Sequence, residues 1–458
     1  MICKSEKLMQ LSEKKAIQAF KKAAINIPAY QIYLKQNNIS HKDIDSLEHF
    51  KERVPILNKE KTFKLYSNEI KKLCRHGELK DVKNIIPSSG HSGSFSFGLN
   101  TKCQIKQSQR EIDNQLDSIF KIRKKRTLLI NALPMGVRIN SALTTVIDTS
   151  VRSDIVLATI RTFKGYFDQI IIIAENSFAK KILEEGQEQA INWKGSTVHL
   201  ILGEEILPEN LRSYFAYILG SDLDSKQPKN IIGSSFGLAE FGLNIFFETL
   251  QTIRLRRTIQ RDERLKKILI GNESNYLPMI LQYNPLKIFV EEIKVDSHSH
   301  LVLTNLDPRS IIPLIRYDIE DDGNVIAYEK LKEILFSLNY KEYLPQISLP
   351  VVIVWGRHTL KTPENFIIRA ELIKEALYEN FEIAKTITGY FRISILNNEL
   401  KIEVQLRRGQ SFSAELEQNL KNTISKYLPI KTKLILYKYS DFPYAMELDY
   451  ERKFEYFG

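Results

Sequence analysis

The chain opens with a helical pattern of apolar and polar residues. Apolar side chains recur over residues 5–25 at intervals of three to four residues, the spacing of one face of an α-helix. We expect Pro28, which follows, to end this helix. Similar patterns predict helices over residues 41–52 and 106–122.

From residue 127 short apolar runs alternate with helix-like stretches. The runs at residues 127–130, 169–174 and 198–202 are rich in β-branched residues and bounded by polar ones, as buried strands are. Residues 177–188 and 208–219 have helical patterns. The alternation predicts an α/β fold with a largely parallel sheet.

The pattern changes again after residue 286. Residues 288–295 and 300–304 are predicted to form a β-hairpin. The end of the chain then shows its own series of elements: a helix over 366–379, strands over 391–396 and 400–406, a helix over 413–427 and a strand over 433–438. About 100 residues make an ordinary small domain. We therefore predict an N-terminal domain of residues 1–356 and a C-terminal domain of residues 357–458.

Composition narrows the class of protein. With 458 residues, 43% of them apolar, the chain has room for two or three domains. Its start lacks the apolar run of a secretory signal, and its longest apolar runs are too short to span a bilayer. Cys3, Cys74 and Cys103 lack the paired spacing of a zinc site. We expect a soluble, cytoplasmic protein.

The formal net charge of +11 raises the question of nucleic-acid binding. Basic clusters occur at residues 121–126 and 254–257, but 55 acidic residues accompany them and the basic residues are spread along the chain. Solvated helix faces explain most of this pattern. The remaining interpretation is attraction to acidic partners, which include coenzyme A and an acidic carrier protein as well as nucleic acid.

Residues 87–98 carry the first candidate for chemistry. They contain three glycines and five serines, and they follow an apolar stretch. Glycine turns the chain without a Cβ, and several backbone N–H groups that point into one concavity bind phosphate. The alternative is a plain surface connection, since serine- and glycine-rich loops are common.

Further motifs follow this loop in a set order. Residues 202–204 read Leu-Gly-Glu, residues 236–240 read Phe-Gly-Leu-Ala-Glu, and residues 313–317 read Pro-Leu-Ile-Arg-Tyr before an aspartate. Residues 355–357, Trp-Gly-Arg, then precede the C-terminal region. This series resembles the adenylate-forming (AMP-binding) superfamily, and within it the phenylacetate–CoA ligase-like branch. The resemblance covers residues 85–455.

The resemblance implies a fold and a reaction. The fold is a large N-terminal α/β body of several subdomains followed by a small, mobile C-terminal α+β domain. In the reaction, a small carboxylic acid attacks the α-phosphate of ATP to give an acyl- or aryl-adenylate and pyrophosphate. A thiol, usually that of coenzyme A, then displaces AMP. ATP, Mg²⁺ and coenzyme A are the implied cofactors and co-substrates.

The resemblance also assigns nucleotide-binding residues. Phosphate contacts would come from the loop residues Ser88, Ser89, Gly90, His91, Ser92 and Gly93. The turn at Gly203 and Glu204 would complete the nucleotide site, and Phe236, beside Gly237, would lie against the adenine.

The remaining assignments concern the ribose, the metal and catalysis. Asp321 would bind the ribose hydroxyls, and Arg357 would reach the same part of the nucleotide. Glu240 would hold Mg²⁺, which prefers carboxylate oxygen beside phosphate. Lys453 would bridge the α-phosphate, and Arg316 completes the implied catalytic group with Glu240 and Lys453.

Each assignment has a structural alternative. Glu240 would otherwise be a solvated helix residue, and Asp321 part of a polar turn before Gly323. Arg316 either touches the ligand or braces the fold through a carboxylate. Lys438 is a second candidate for the role given to Lys453.

Departures from the family pattern leave the acyl acceptor open. His91 and Ser92 replace two threonines of the family loop, and the lysine that often follows is missing. His358 stands where the family has an acidic hinge residue, and residues 362–364 lack the expected glycine. Because that segment contacts coenzyme A, adenylation is better supported than transfer, and a carrier protein or an amine remains as acceptor.

Two other classes of protein stay open. The altered loop also fits a catalytically weakened regulator that binds nucleotide. A nucleic-acid-binding protein is disfavoured, because the sequence has no recognition motif. The sequence does not identify the acid, whose pocket we expect near residues 131–137 and 234–238.

Overall fold

The computed structural model describes most of the chain. The described residues are 4–88, 90, 93–271, 276–295, 298–356, 359–361, 367–396, 399–428, 430–444, 450 and 453–458. They divide into two compact units. The first contains Met1–Gln115, Ser235–Arg256 and Pro278–Arg357, and the second contains Leu116–Ser234, Arg257–Leu277 and His358–Gly458.

The elements are numbered in chain order. The α-helices are α1 Lys4–Asn26, α2 Pro28–Gln36, α3 Leu47–Arg53, α4 Lys102–Phe120, α5 Ser153–Phe163, α6 Asn176–Glu188, α7 Glu209–Leu219, α8 Leu250–Arg261, α9 Glu263–Ile270, α10 Tyr328–Ser337, α11 Ala370–Glu379, α12 Phe381–Ala384 and α13 Ala414–Tyr427. Short 3-10 helices lie at His41–Asp43, Ile70–Leu73, Arg75–Gly77, Lys164–Tyr166, Lys341–Tyr343 and Tyr439–Asp441, and a π-helical turn lies at Glu60–Lys64.

The strands are numbered in the same way. They are β1 Val82–Pro87, β2 Phe97–Thr101, β3 Thr127–Ala132, β4 Thr145–Asp148, β5 Gln169–Glu175, β6 Val198–Gly203, β7 Ile232–Leu238, β8 Gly242–Phe247, β9 Met279–Tyr283, β10 Ile288–Val295, β11 His298–Asn305, β12 Tyr317–Ile326, β13 Val351–Gly356, β14 Thr359–Lys361, β15 Ile367–Arg369, β16 Ile387–Leu396, β17 Glu399–Leu406 and β18 Thr432–Tyr437.

The first unit is built on antiparallel strands. Their order is β10-β11-β12-β13-β9-β8, continued by residues 235–238 of β7. The predicted hairpin is confirmed, because β10 and β11 pair with Ile288 opposite Asn305. A separate antiparallel pair, β1 and β2, brackets the serine- and glycine-rich loop, with Pro87 opposite Phe97.

The two predictions for the first helix, its extent and its end, are confirmed. Helix α1 covers the predicted residues, with Ala16 and Phe20 fully buried. Pro28 was expected to end it, and α1 does end at Asn26, just before this proline, which is also the first residue of α2. The first turn of a helix needs no intrahelical N–H bond, so proline fits there.

The second unit contains the predicted parallel sheet. Residues 232–234 of β7, then β6, β5, β3 and β4, lie side by side, and every neighbouring pair is parallel. All residues of β3 and β5 are buried, as expected for strands covered on both faces. Helices α5, α6 and α7 contribute to the core around these strands.

The C-terminal elements lie in the same unit. Strand β17 pairs antiparallel with β16 and parallel with β18. Tyr378 and Ala384 belong to the apolar core that contains α6 and α7. Strand β16 begins at Ile387, four residues before the predicted start at residue 391. Its pairing with β17 is irregular between Ile387 and Phe391, where Gly389 has φ 100°, and this irregularity interrupts the strand pattern in the sequence.

The division into domains at residue 357 stays a prediction. The chain passes from the first unit to the second between Arg357 and His358, but the second unit also includes Leu116–Ser234. Across the described ranges, no helix combines the length and apolar character needed to cross a membrane.

Candidate active site

The serine- and glycine-rich loop is closed at its base by Ser88 and Ser96. The Ser88 N–H donates to the Ser96 carbonyl oxygen, and the Ser96 N–H donates to Ser88 Oγ, both at 2.9 Å. Gly90 and Gly93 adopt φ of 69° and 77°, and Gly93 N–H donates to the Gly90 carbonyl. These conformations favour glycine. Ser89, His91 and Ser92 lie outside the described residues.

Glu240 lies at the base of this loop. Ser96 Oγ donates to Glu240 Oε2 at 2.9 Å. The backbones also approach closely, since a Cβ at Gly98 would overlap the carbonyl oxygen of Ala239. The structure therefore brings together two of the predicted segments, the phosphate loop and the Phe-Gly-Leu-Ala-Glu motif.

The motif runs from the last three residues of β7 into the turn that precedes β8. A Cβ at Gly237 would overlap the backbone of Leu243, so the close return of the chain requires glycine there. The half-buried Phe236 ring stacks on Phe246, with 5.4 Å between ring centroids and 23° between planes.

Glu240 and Ser96 fit the chemistry of a magnesium site. Both side chains offer oxygen, and Mg²⁺ in nucleotide enzymes is commonly held by one or two carboxylates together with substrate phosphates. The proximity of Glu240 to the loop places a carboxylate beside the predicted phosphate contacts.

Asp321 lies in an irregular part of β12. Opposite β11, Val302 faces Asp318 and His300 faces Asp322, so β12 carries two extra residues. Glu320, at φ 61°, makes the bulge, and Asp321 is 4% exposed. Bulges of this kind re-aim side chains next to functional sites.

Two aspartates close to Asp321 in the sequence, Asp318 and Asp322, lie near one histidine of β11. His300 Nδ1 lies 3.1 Å from Asp318 Oδ2, and its Nε2 lies 3.8 Å from Asp322 Oδ1. Asp322 is opposite Gly356 of β13. The next residue, Arg357, lies outside the described residues.

Arg316 is buried and occupied by contacts within the fold. Its guanidinium makes two 3.1 Å contacts with the Glu291 carboxylate and donates to the carbonyls of Lys51 and Val54. It also lies over the Phe50 ring. These contacts are those that the bracing alternative expects, and the catalytic role of Arg316 stays a prediction. Through Arg316 the Pro-Leu-Ile-Arg-Tyr motif holds the C-terminal end of α3.

The second unit contains the other predicted residues. Gly203 ends β6, and Glu204 follows with φ 70°. Lys453 lies near the next residue, Glu205, whose pKa its charge helps to lower. Lys438, the alternative lysine, is exposed.

Glu205 is the centre of a buried ionic cluster. Lys374 Nζ lies 2.5 Å from Glu205 Oε2, with both side chains less than a tenth exposed, and Tyr456 Oη donates to the same oxygen at 3.2 Å. Burial raises the pKa of Glu205, but Lys374, Lys453 and the two hydrogen bonds outweigh it, so the pKa lies below its ordinary value.

The pKa of Glu175 is shifted in the opposite direction to that of Glu205. Burial and the neighbouring Glu205 charge raise the pKa of Glu175 to about 7, although its carboxylate accepts from the N–H groups of Ser177 and Phe178. The Glu175 carboxylate thus caps α6. Burial and the nearby negative charge nevertheless make its ionised form less stable than in water.

Sequence reasoning missed Ser96, Glu205 and Lys374. Ser96 stood within the quoted loop, and Glu205 followed the quoted Gly203-Glu204 turn, so both had a signal. Lys374 had none, because its role depends on α11 lying against the end of β6.

The chain is similar in fold to solved acyl-CoA ligases. The chain matches 2-hydroxyisobutyryl-CoA ligase in the postadenylation state with R3-HIB-AMP, at a TM-score of 0.69 and 14% identity over 97% of this chain and 88% of that one. The same ligase with 2-HIB-AMP and CoA in the thioesterification state gives 0.55, at 14% identity over 100% and 90%.

A second ligase is similar to the chain in fold, with a lower TM-score. The anthranilate CoA ligase AuaEII in complex with anthranoyl-AMP matches with a TM-score of 0.51 and 10% identity over 82% of this chain and 66% of that one. No family model and no curated protein sequence matches the chain. The chain therefore has the fold of adenylate-forming CoA ligases, as the order of its motifs predicted.

Proposed function

We propose that this protein is an ATP-dependent ligase that activates a carboxylic acid as an acyl-adenylate and transfers the acyl group to coenzyme A. The contact that carries the proposal joins Ser96, at the base of the loop, to Glu240. It supports the proposal because a carboxylate then lies at the base of the serine- and glycine-rich loop, in a fold shared with ligases solved with acyl-adenylates.

The residues of the first unit take the nucleotide in this proposal. The loop from Ser88 to Gly93 holds the β- and γ-phosphates through N–H groups and hydroxyls. Phe236 lies against the adenine, and Asp321 binds the ribose together with Arg357. Glu240 holds Mg²⁺, which neutralises phosphate charge when bound.

In each of the two steps, adenylation and acyl transfer, one bond forms and one bond breaks. A carboxylate oxygen attacks the α-phosphorus of ATP, and the bond to the bridging oxygen of pyrophosphate breaks. The thiol sulfur then attacks the acyl carbon, and AMP leaves with the oxygen that came from the acid. Lys453 would stabilise charge at the α-phosphate in the first step, acting by electrostatic stabilisation.

Coenzyme A is the proposed acceptor. The 2-hydroxyisobutyryl-CoA ligase that shares the fold was solved with CoA. Nothing in these comparisons supports an acyl carrier protein or an amine. A place in the phenylacetate–CoA ligase-like branch rests on the motifs at residues 236–240 and 313–317.

Exchange of labelled pyrophosphate into ATP tests adenylation. We expect exchange that depends on a carboxylic acid, measured across a panel of short, fatty and aryl acids. Glu240→Gln, Asp321→Asn and Lys453→Ala should each lower it at least about tenfold. Glu333→Gln, an exposed carboxylate in the same unit, is the matched control. Nucleotide binding without exchange for any acid would favour a regulator instead.

A further inference from the structure

Strand β12 departs from regular geometry at the residues that lead into Asp321. Residues 319–321 lie between two paired positions where β11 has only Leu301. Within them Glu320 has φ 61°. A residue with a Cβ rarely adopts this conformation, which persists only where neighbouring groups hold it. The groups that hold Glu320 therefore decide how Asp321 is presented.

Asp318 holds the backbone of Glu320. Its Oδ1 accepts a hydrogen bond from the Glu320 N–H at 2.8 Å. In this type of turn an aspartate side chain bonds to the backbone two residues further on and takes the place of a backbone acceptor. The orientation of the Asp318 carboxylate therefore helps to set the backbone conformation one residue before Asp321.

His300 in turn fixes the Asp318 carboxylate. The imidazole Nδ1 lies 3.1 Å from Asp318 Oδ2, and because a carboxylate accepts hydrogen bonds, Nδ1 is the donor. Both oxygens of Asp318 are thus used, Oδ1 by the bulge and Oδ2 by the neighbouring strand. The other ring nitrogen, Nε2, lies 3.8 Å from Oδ1 of Asp322, which follows the bulge.

These contacts are largely shielded from water. The exposed fraction of the side chain is 21% for His300, 14% for Asp318 and 13% for Asp322. A hydrogen bond is stronger where little water competes for the donor and the acceptor. The imidazole therefore joins the residue before the bulge to the residue after it.

We propose that His300 is a positioning residue for ribose binding. Through Asp318 and the backbone of Glu320 it fixes the bulge that presents Asp321 to the ribose hydroxyls. The proposal rests on the proposed function, in which Asp321 binds the ribose. His300 acts through two successive hydrogen bonds of 3.1 and 2.8 Å. Its loss should therefore weaken recognition of the ribose hydroxyls more than it slows the chemical step.

Selectivity for the ribose hydroxyls tests this role. Binding of ATP and of 2′,3′-dideoxy-ATP is measured by calorimetry, and KM and kcat are measured by pyrophosphate exchange. We expect the wild type to bind ATP at least about tenfold more tightly, because the analogue leaves polar groups of the site unpaired. His300→Leu should reduce this preference at least about fivefold and raise KM for ATP, with kcat within about twofold of the wild type.

Further variants separate positioning from a general effect on the fold. His300→Asn keeps an N–H donor near the place of Nδ1 and should retain most of the preference. Asp318→Ala should lose it, and adding His300→Leu to Asp318→Ala should change little, because the two residues act in one chain of contacts. His49→Leu is the matched control, since His49 lies 2.8 Å from Asp45 in the same unit. Thermal unfolding shows which variants are folded.

The outcomes distinguish this proposal from the ligase function. Unchanged selectivity in folded His300→Leu or Asp318→Ala, or a fall in kcat alone, overturns the positioning role and leaves the ligase function standing. If no acid supports exchange, the ligase function fails, and calorimetry with the two nucleotides still decides the role of His300. A wild-type protein that binds both nucleotides equally, or neither, overturns the proposal.

Discussion

Ser96 Oγ donates a 2.9 Å hydrogen bond to Glu240 across 144 positions of sequence. The same serine donates its N–H to Ser88 Oγ. One residue therefore links the two ends of the loop to the carboxylate proposed to hold Mg²⁺. This relationship explains why the two motifs act as one site in the proposed function.

Ser96→Ala should weaken the site without removing it. The substitution removes a hydrogen bond to a carboxylate, which contributes about 1.5–3 kcal/mol. We expect a decrease of roughly ten- to 100-fold in exchange and a higher Mg²⁺ requirement, measured by titrating the metal. Ser337→Ala, on the exposed end of α10, should change neither. Wild-type metal dependence in Ser96→Ala would argue against the role of this contact.

Arg316→Met should act on stability rather than on chemistry. Removing one partner of a buried ion pair costs about 3–5 kcal/mol, and Arg316 and Glu291 are both almost fully buried. The measurement is the free energy of unfolding in urea. Arg152→Met, which breaks an exposed pair with Asp154, should cost less than about 1 kcal/mol. A stable Arg316→Met protein without activity would instead support the predicted catalytic role of Arg316.

Much of the fold follows from local pattern. The runs that became β3 and β5 contain unbroken apolar stretches at residues 128–130 and 170–174, a composition that suits strands covered on both faces. Pro28 marks the end of α1 in the sequence, but it does not by itself announce the start of α2, because proline stops one helix and is also tolerated in the first turn of another. The grouping of the C-terminal elements with Leu116–Ser234 has no local signal, since it depends on side chains such as Tyr378 entering a distant core.

Lys374→Met should destabilise the second unit. It leaves Glu205 buried without its nearest cation, a loss we expect to cost about 3–5 kcal/mol. Lys385→Met is the control, because its pair with Glu382 is exposed and should contribute less than about 1 kcal/mol. Urea unfolding measures both variants. Equal midpoints for the two would contradict the structural role of the Glu205 cluster.

Glu175 should make stability fall as the pH rises from about 4.5 to about 7. Its pKa is raised from 4.5 to about 7 in the folded protein, so the folded state binds more protons than the unfolded state in this window. Stability then decreases with pH there, by up to about 3 kcal/mol. Unfolding free energies of Glu175→Gln across the window should vary less than those of the wild type. An identical pH profile would contradict the raised pKa.

The candidate site was only partly readable from the sequence. Glu240 and Ser88 could be singled out because their types and positions carry the motifs, but the serine that joins them required the fold. For Arg316 the sequence could not decide between two roles. The motif reads the same whether the guanidinium binds a substrate or pairs with Glu291, as it does in the structure.

Transfer of oxygen from the acid to AMP is the most direct test of the proposed chemistry. A substrate acid identified by exchange is labelled with ¹⁸O in its carboxylate and incubated with the protein, ATP and coenzyme A, and the nucleotide products are analysed by mass spectrometry. Attack on the α-phosphorus predicts AMP that carries one ¹⁸O atom, together with unlabelled pyrophosphate. ADP with labelled inorganic phosphate, or AMP without the label, would contradict the adenylate mechanism.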